Sequence, residues 1–515
     1  MKKIVLYTLV CSTWLGFSQE TTVNDALRFG LNDLNGSARF RGLSGSMGAI
    51  GGDLSAININ PAGSVVFKFN TFSATASGFN KMNEARYFGT KTSENDFKLD
   101  INQIGAIFVF ENTASSNGWK KLSLGINYEN TNNFNEQSHI RGINPKNSVG
   151  DYFFNYAQGY KLDLLQTQSG ESISSLYQYL GETPGLGFGA QQAMLGYQGY
   201  IVGAVNEDNQ DNIDYYTNIP SGGNFYQDNF SQTRGYNGKL TGNFATNYND
   251  ILSLGLNLNV HFTDITKTSN LYESNTNAPY IDGTTVKEIR FTNELYTYGR
   301  GFSFNLGAIA NVTKQLKLGF AYESPTWYEL NEELSQRLIV KSTDANKSYT
   351  DIIDPNVLNV YPSYTVQIPN KVTGSMAYIF GSKGFINIDV SSRNYANTKF
   401  KPKNVDPYYS LNNYMNANLQ RAISLNVGGE YKLKQISLRG GYRFEESPFK
   451  NEHNRGDLHG YSAGLGYSFY TSRIDLSYAN TRVNYKQSLI TSGMNDQSQI
   501  TNINDTVSLS YTITF

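Results

Sequence analysis

From Thr506 to Phe515 the chain alternates without a fault. Val507, Leu509, Tyr511, Ile513 and Phe515 stand against Thr506, Ser508, Ser510, Thr512 and Thr514. Successive side chains of an extended strand point to opposite faces, so one face here is wholly apolar and the other wholly hydroxylic. The same period recurs upstream. Leu252, Leu254, Leu256, Leu258, Val260 and Phe262 interleave with Ser253, Gly255, Asn257, Asn259 and His261. Ile423, Leu425 and Val427 alternate with Ser424 and Asn426, and Tyr461, Ala463, Leu465, Tyr467 and Phe469 do so with small or hydroxyl residues. Charges fall on the polar face: Glu129, Lys239, Lys317, Glu323, Asp389, Arg439, Arg443 and Asp475. A water-soluble sandwich turns such a face outward. A membrane barrel reverses the sense, with apolar rows towards lipid and polar rows lining the lumen.

Loop lengths choose between the two. The pattern predicts fourteen strands, over 64–80, 97–112, 120–142, 231–249, 251–270, 286–313, 315–340, 364–381, 384–402, 416–433, 435–449, 457–471, 473–490 and 499–515. Connections are short at Asn249–Asp250, Lys314, Ser382–Lys383, Lys434 and Ser472, and long on the other side. Short periplasmic turns opposite long outer loops mark bacterial outer-membrane barrels. The expected fold is therefore all-β, a transmembrane antiparallel β-barrel over 64–515. Closing the sheet leaves no unpaired edge in hydrocarbon. Many strands exceed the roughly 9–11 residues that cross a bilayer, so the wall should project beyond it. The 37 Tyr, 30 Phe and 48 Gly suit one large β structure and oppose disorder. With 42 Lys+Arg against 43 Asp+Glu, the chain lacks the basic excess of a nucleic-acid binder.

Residues 1–18 read as a signal peptide. Lys2 and Lys3 precede the mostly apolar Ile4–Phe17, and Gly16 and Ser18 are small, predicting cleavage before Gln19. Cys11, the only cysteine, lies in this segment, so the exported chain has no disulfide, thiolate metal site or thiol nucleophile. No later stretch is long and apolar enough for a transmembrane helix. Export plus barrel predicts the outer membrane of a diderm bacterium.

Two regions lack strand alternation, 19–63 and 143–230. The second carries helical stripes. Tyr152, Tyr156, Tyr160 and Leu164 repeat every four residues, Ile173, Leu176, Tyr177 and Leu180 follow a helix face, and Ala190, Met194, Tyr197 and Ile201 do likewise. Two readings of this outer loop stand together: helices capping the barrel, and an apolar surface for ligand capture built on Tyr152, Tyr156, Tyr160, Leu164, Leu176, Tyr177 and Leu180.

Residues 36–66 read GSARFRGLSGSMGAIGGDLSAININPAGSVV. Gly42, Gly45, Gly48 and Gly51 recur every third position, before Asp53 and the triplet Asn60, Pro61, Ala62. This segment resembles the N-terminal hatch of the FadL/TodX family of outer-membrane channels for hydrophobic compounds. The specific match covers about thirty residues, and the rest of the resemblance is architectural. It implies that 19–63 form a hatch inside the lumen, with those residues at its gate. It also implies passive uptake of long-chain fatty acids or aromatic hydrocarbons, with sideways exit through a kinked strand. The residues suit the role physically. Glycine permits close backbone approach, while Pro61 fixes its own φ and biases Asn60 to an extended conformation. Arg28, Arg39, Arg41 and Asp53 are candidates to pair with charges on the wall.

Other motifs carry less. Gly460-Tyr461-Ser462-Ala463-Gly464 matches a serine-nucleophile pattern, but that motif needs a strand–turn–helix elbow and here lies within a strand. The glycines at 42–52 lack the spacing and lysine of a phosphate loop. His139, His261, His453 and His459 present no convincing ligand triad, so no metal and no cofactor is expected. Arg455-Gly456-Asp457 and Glu445-Glu446 read as solvated loop residues.

The sequence thus predicts a non-enzymatic, monomeric channel whose partners are a hydrophobic small molecule and outer-membrane lipid. The rival reading is a FadL-like barrel that scaffolds protein secretion or surface attachment. The much larger TonB-dependent receptors have about twenty-two strands.

Overall fold

Strand follows strand in chain order around a closed cylinder. A computed structural model of the chain describes residues 22–31, 33–112, 118–344, 347–451 and 454–515. The expected signal peptide and His453 lie outside them. The described residues form fourteen barrel strands. The first six are β1 Thr71–Tyr87, β2 Thr90–Glu111, β3 Trp119–Asn133 resuming as Glu136–Asn144, β4 Phe225–Tyr248, β5 Leu252–Asn275 and β6 Thr284–Asn311. Then come β7 Leu316–Glu323 resuming as Thr326–Asp344, β8 Asn359–Ile368 resuming as Lys371–Ile379, β9 Gly384–Asn394 and β10 Arg421–Leu433. The last four are β11 Ile436–Glu445, β12 Leu458–Phe469, β13 Ser472–Ser488 and β14 Gln497–Thr514. Neighbours pair antiparallel throughout, and β14 returns to β1 from Thr71↔Thr514 to Arg86↔Gln499.

The polarity is inverted relative to a soluble domain. Val507, Leu509 and Tyr511 are 43–54% exposed, whereas Thr506, Ser508 and Ser510 are 1–5% exposed. Glu129, Asp389, Arg439, Arg443 and Asp475 are likewise buried on the luminal face. The hydroxyl rows bond to one another there, as in Thr75 to Ser510 at 2.7 Å and Ser77 to Ser508 at 2.7 Å. Among the described residues no helix is long and apolar enough to cross a membrane. Strands make the crossing.

Several boundaries differ from the sequence reading, and three of them change the architecture. Pro61–Val66 is a 3-10 helix and β1 starts at Thr71, so the wall begins later than residue 64. The first hairpin turns tightly at Phe88–Gly89 instead of through a long outer loop, because β1 runs on to Tyr87 and β2 starts at Thr90. Residues 81–96 are mostly polar, so the alternation that marks a lipid-facing strand fades there. The third is α6, Tyr408–Asn418, which occupies the outer connection where a strand was expected to begin.

At the outer end, three helices of the long loop close the barrel: α3 Gly150–Ala157, α4 Ile173–Glu182 and α5 Gly187–Gln198. Their shared core runs from Phe153, Leu176 and Met194 onto Ile140, Ile289 and Leu338 of the wall. Below it, helices α1 Val23–Leu27 and α6 join Tyr328, Val366 and Phe400 in a second apolar cluster. The N-terminal segment is thus drawn inside.

Candidate functional site in the lumen

The hatch meets the wall on nearly every side. Ser44 bonds to Ser462 of β12 at 2.7 Å, Ser46 donates to the Asn387 carbonyl of β9 at 2.9 Å, and Ser64 bonds to Ser123 of β3 at 2.7 Å. Asp389 of β9 accepts the backbone N–H groups of Met47 at 2.9 Å and Gly48 at 3.2 Å. Gly42 and Gly45 sit at the end of α2, Ala38–Gly42, and in the turn after it, facing the β10–β12 wall. A Cβ on Gly48 would stand 2.2 Å from Ser375 Oγ, and Gly51 adopts φ +63° against the backbone of Gly63. Those two positions accept only glycine without movement.

Asn60, Pro61 and Ala62 form one joint. Asn60 caps the 3-10 helix by accepting the Ala62 N–H at 3.2 Å, with Pro61 in the first helical position. The Asn60 amide also donates to carbonyls of Gly48 at 2.9 Å and of Ala308 in β6 at 3.0 Å. Asp53 faces inward on the hatch itself, accepting Ser37 Oγ at 2.8 Å and the Ser55 N–H at 2.9 Å.

Of the four charges expected to reach the wall, Arg39 does so. It meets Glu430 at 2.9 Å, Glu430 meets Arg439 at 2.7 Å, and Arg439 meets Asp475 at 2.7 Å. Burial works against the Arg39 guanidinium, but Glu430 outweighs it and holds Arg39 above its ordinary range. Removing one member of such a buried network strands the others, at a cost of about 3–5 kcal/mol. Arg28 instead pairs with Asp25 on its own segment. Arg41 donates to Asn35 and lies 4.9 Å from the Phe79 ring centroid; burial lowers it to about 10. These two were misassigned because their partners sit on the hatch or are uncharged.

The outer-loop residues divide by burial. Tyr152, Leu176, Tyr177 and Leu180 belong to the core of the cap, whereas Tyr156, Tyr160 and Leu164 are half-buried at its edge. The burying contact for Tyr177 is polar as well as apolar, since its hydroxyl donates to Gln336 at 2.7 Å. Ser462 points into the lumen towards Ser44, while the exposed His459 points outward and bonds to Tyr442. Opposite faces of one strand keep the two from meeting, which removes the serine-hydrolase geometry.

Between hatch and cap lies a cavity of about 170 Å³, touched by Phe29, Leu34, Ile59, Lys239, Tyr328 and Ile368 among others. Beside it the wall is parted. β2 pairs with β3 only from Gln103↔Glu129 to Glu111↔Lys121. Farther out, β2 stays on β1 and β3 stays on β4, so no ladder joins residues 90–102 to 130–144 among the described residues. Side chains span the seam: Asn130 donates to Asp100 at 2.7 Å, and His139 lies 3.3 Å from Glu94. Phe97, Leu99 and Ile101 beside it are 60–69% exposed on the outer face.

From within, the seam is covered by the N-terminal linker. Asn132 donates to the Leu31 carbonyl at 2.6 Å, and Asp33 accepts the Asn133 N–H at 3.2 Å and sits 3.4 Å from Lys81 of β1. The same Leu31 and Asp33 line the cavity. Sequence reading missed this seam. Its one local trace is the asparagine run Asn130, Asn132, Asn133 and Asn135, in which Asn130 reaches Asp100 across the seam and Asn132 reaches the linker.

The comparisons agree with this architecture. A family model described as outer membrane protein transport protein (OMPP1/FadL/TodX) matches residues 216–514, more than half of the chain. A search of curated proteins finds no match. Among solved structures, a Pseudomonas aeruginosa FadL homologue is 13% identical with a TM-score of 0.54, covering 94% of this chain and 99% of that one. The P. putida toluene transporter TodX is 13% identical with a TM-score of 0.50, again over 94% and 99%.

Proposed function

The chain belongs to the OMPP1/FadL/TodX family of outer membrane transport proteins, and from that premise we propose that it passes hydrophobic small molecules from the lumen sideways into the bilayer. The observation that carries this reading is the parted wall between β2 and β3, beside the cavity and covered by the same linker. Apolar surface extracts a ligand at about 0.8 kcal/mol per buried CH₂, and the gain must be surrendered for release. The seam offers that release to lipid instead of water.

The route begins at the half-buried Tyr156, Tyr160 and Leu164, since their fully buried neighbours touch a ligand only if the cap opens. It continues to the cavity. There the linker around Leu31 and Asp33 shifts and uncovers the seam. The hatch from Gly42 to Ala62, tied to the wall through Asp389 and Asn60, acts as a fixed floor that closes the periplasmic end. About 150 Å³ encloses a benzene-sized molecule, so a cavity of about 170 Å³ suits one aromatic ring better than a long acyl chain. No step calls for covalent chemistry, and no feature of the lumen favours the scaffold reading.

The test is uptake of radiolabelled toluene and hexadecanoate by a diderm host expressing the protein. Uptake above an empty-vector control supports the channel. Equal uptake, with heat-modifiability on gels showing a folded barrel, rejects it.

A further inference from the structure

The charges of this barrel are sorted by end. The outer loop over 143–230 has only Lys146 and Lys161 among nine acidic residues. Three periplasmic turns reverse the balance. The turn from β6 to β7 carries Lys314 and Lys317, that from β8 to β9 carries Lys383, and that from β10 to β11 carries Lys432 and Lys434. Neither Asp nor Glu occurs in 312–317, 380–384 or 431–436. The nearest acids on these strands have other work. Glu430 is held by Arg39 at 2.9 Å and Arg439 at 2.7 Å, with Lys432 farther off at 3.9 Å, and Asp389 accepts the hatch amides of Met47 and Gly48. Elsewhere on the rim the cations are matched: Lys120 meets Asp250 at 2.6 Å, and Lys121 meets Glu111 at 3.2 Å. Lys314, Lys383 and Lys434 stand exposed at the turn tips.

The three turns are neighbours. The Gln315 carbonyl accepts the Ile379 N–H at 2.8 Å, and the Lys383 carbonyl accepts the Lys432 N–H at 2.7 Å. Adjacent strands lie about 4.8 Å apart, so successive turns set a lysine roughly every 10 Å along the rim. That is about one Debye length, and the fields of the three overlap. On the membrane side of the lysines the outward side chains are oily or aromatic. Val312, Tyr378, Phe380, Tyr431 and Leu433 are 47–53% exposed. An outward aromatic row of this kind marks the edge of the hydrocarbon, which puts the lysines at headgroup depth.

We propose that this arc is a docking surface for anionic phospholipid of the periplasmic leaflet. The headgroup phosphate pairs with Lys314, Lys383 and Lys434, and the acyl chains lie against Phe380 and Leu433. Both halves of that molecule are called for, since an acidic glycan or a free anion would meet the lysines and leave the oily row untouched. A lysine at such a surface favours an anionic over a neutral headgroup by about fivefold.

Native mass spectrometry of the detergent-purified full chain tests this, with phosphatidylglycerol and phosphatidylcholine of identical acyl chains offered in equal amounts. Phosphatidylglycerol should be retained by roughly tenfold or more over phosphatidylcholine, and added salt should narrow the gap. Replacing Lys314, Lys383 and Lys434 together with glutamine should abolish the preference, while the triple arginine variant keeps it. Equal retention of the two lipids by the unaltered protein overturns the proposal, and so does a preference that survives the triple glutamine change. Should that variant fail to fold, Lys314→Gln, Lys383→Gln and Lys434→Gln decide singly: each should lower the preference by up to about fivefold, and no change in any of the three overturns the proposal equally. Cosedimentation with purified cell-wall sacculi, without a preference for phosphatidylglycerol, would give the lysines to an acidic glycan and sink the lipid.

Discussion

The side-chain amide of Asn60 donates to the Ala308 carbonyl of β6 at 3.0 Å while holding the Gly48 carbonyl of the hatch at 2.9 Å. One residue therefore fastens the hatch to itself and to the wall. Asn60→Ala leaves those buried carbonyls without their donor, a loss of about 1–3 kcal/mol. The expected outcome is a barrel that still inserts but leaks, read as raised conductance in planar bilayers at normal heat-modifiability. Unchanged conductance would mean that the joint is packing alone.

Gly48→Ala should be worse for the hatch than its one methyl suggests. The added carbon meets Ser375 Oγ at 2.2 Å and Asp389 Oδ1 at 2.7 Å, so the loop must lift away from β8 and β9. Overpacking of this kind costs about 1–3 kcal/mol. Adding Ser375→Gly should recover part of that loss, and a urea-unfolding midpoint in detergent would show it.

Sideways release can be blocked at the seam itself. Cys11 is the only cysteine and lies in the expected signal segment, so Asp100→Cys with Asn130→Cys gives a clean pair across the seam. Bridging them with a short cleavable thiol crosslinker should stop hydrophobic uptake, and cleavage should restore it. Uptake that continues through the bridge would move the exit to the floor.

Replacing Tyr156, Tyr160 and Leu164 together with serine should slow uptake at low ligand concentration and leave the saturated rate unchanged. That pattern separates capture from passage. The same change at Leu176 and Leu180, which lie within the packed cap, should instead lower the temperature at which the outer loop becomes protease-sensitive.

How much of this was readable depended on whether the signal was local. The row from Thr506 to Phe515 announces its two faces because lipid meets one of them and a polar lumen the other. Asn60, Pro61 and the spaced glycines marked the N-terminal segment in the sequence, but what demands glycine at 48 and 51 is Ser375, Asp389 and Gly63, which the sequence does not bring near. The seam was not legible. β2 keeps its pairing with β1 through Asp96, Lys98 and Asp100, and the break appears where β2 bulges at Asn102 and β3 turns aside past Asn130 to follow β4. Lys239 could be placed on the polar face with Glu129 and Glu323.

The pairing of β1 with β14 joins the two strands farthest apart along the chain, and the hatch precedes both. The plug is therefore made first and is at hand when Gln499–Thr514 zips onto Thr71–Arg86. The cost of closing so long a loop falls at the final step. A polypeptide stalled before that strand carries a bare sheet edge and an unsheltered plug, and offers both to the proteases of the compartment it is crossing.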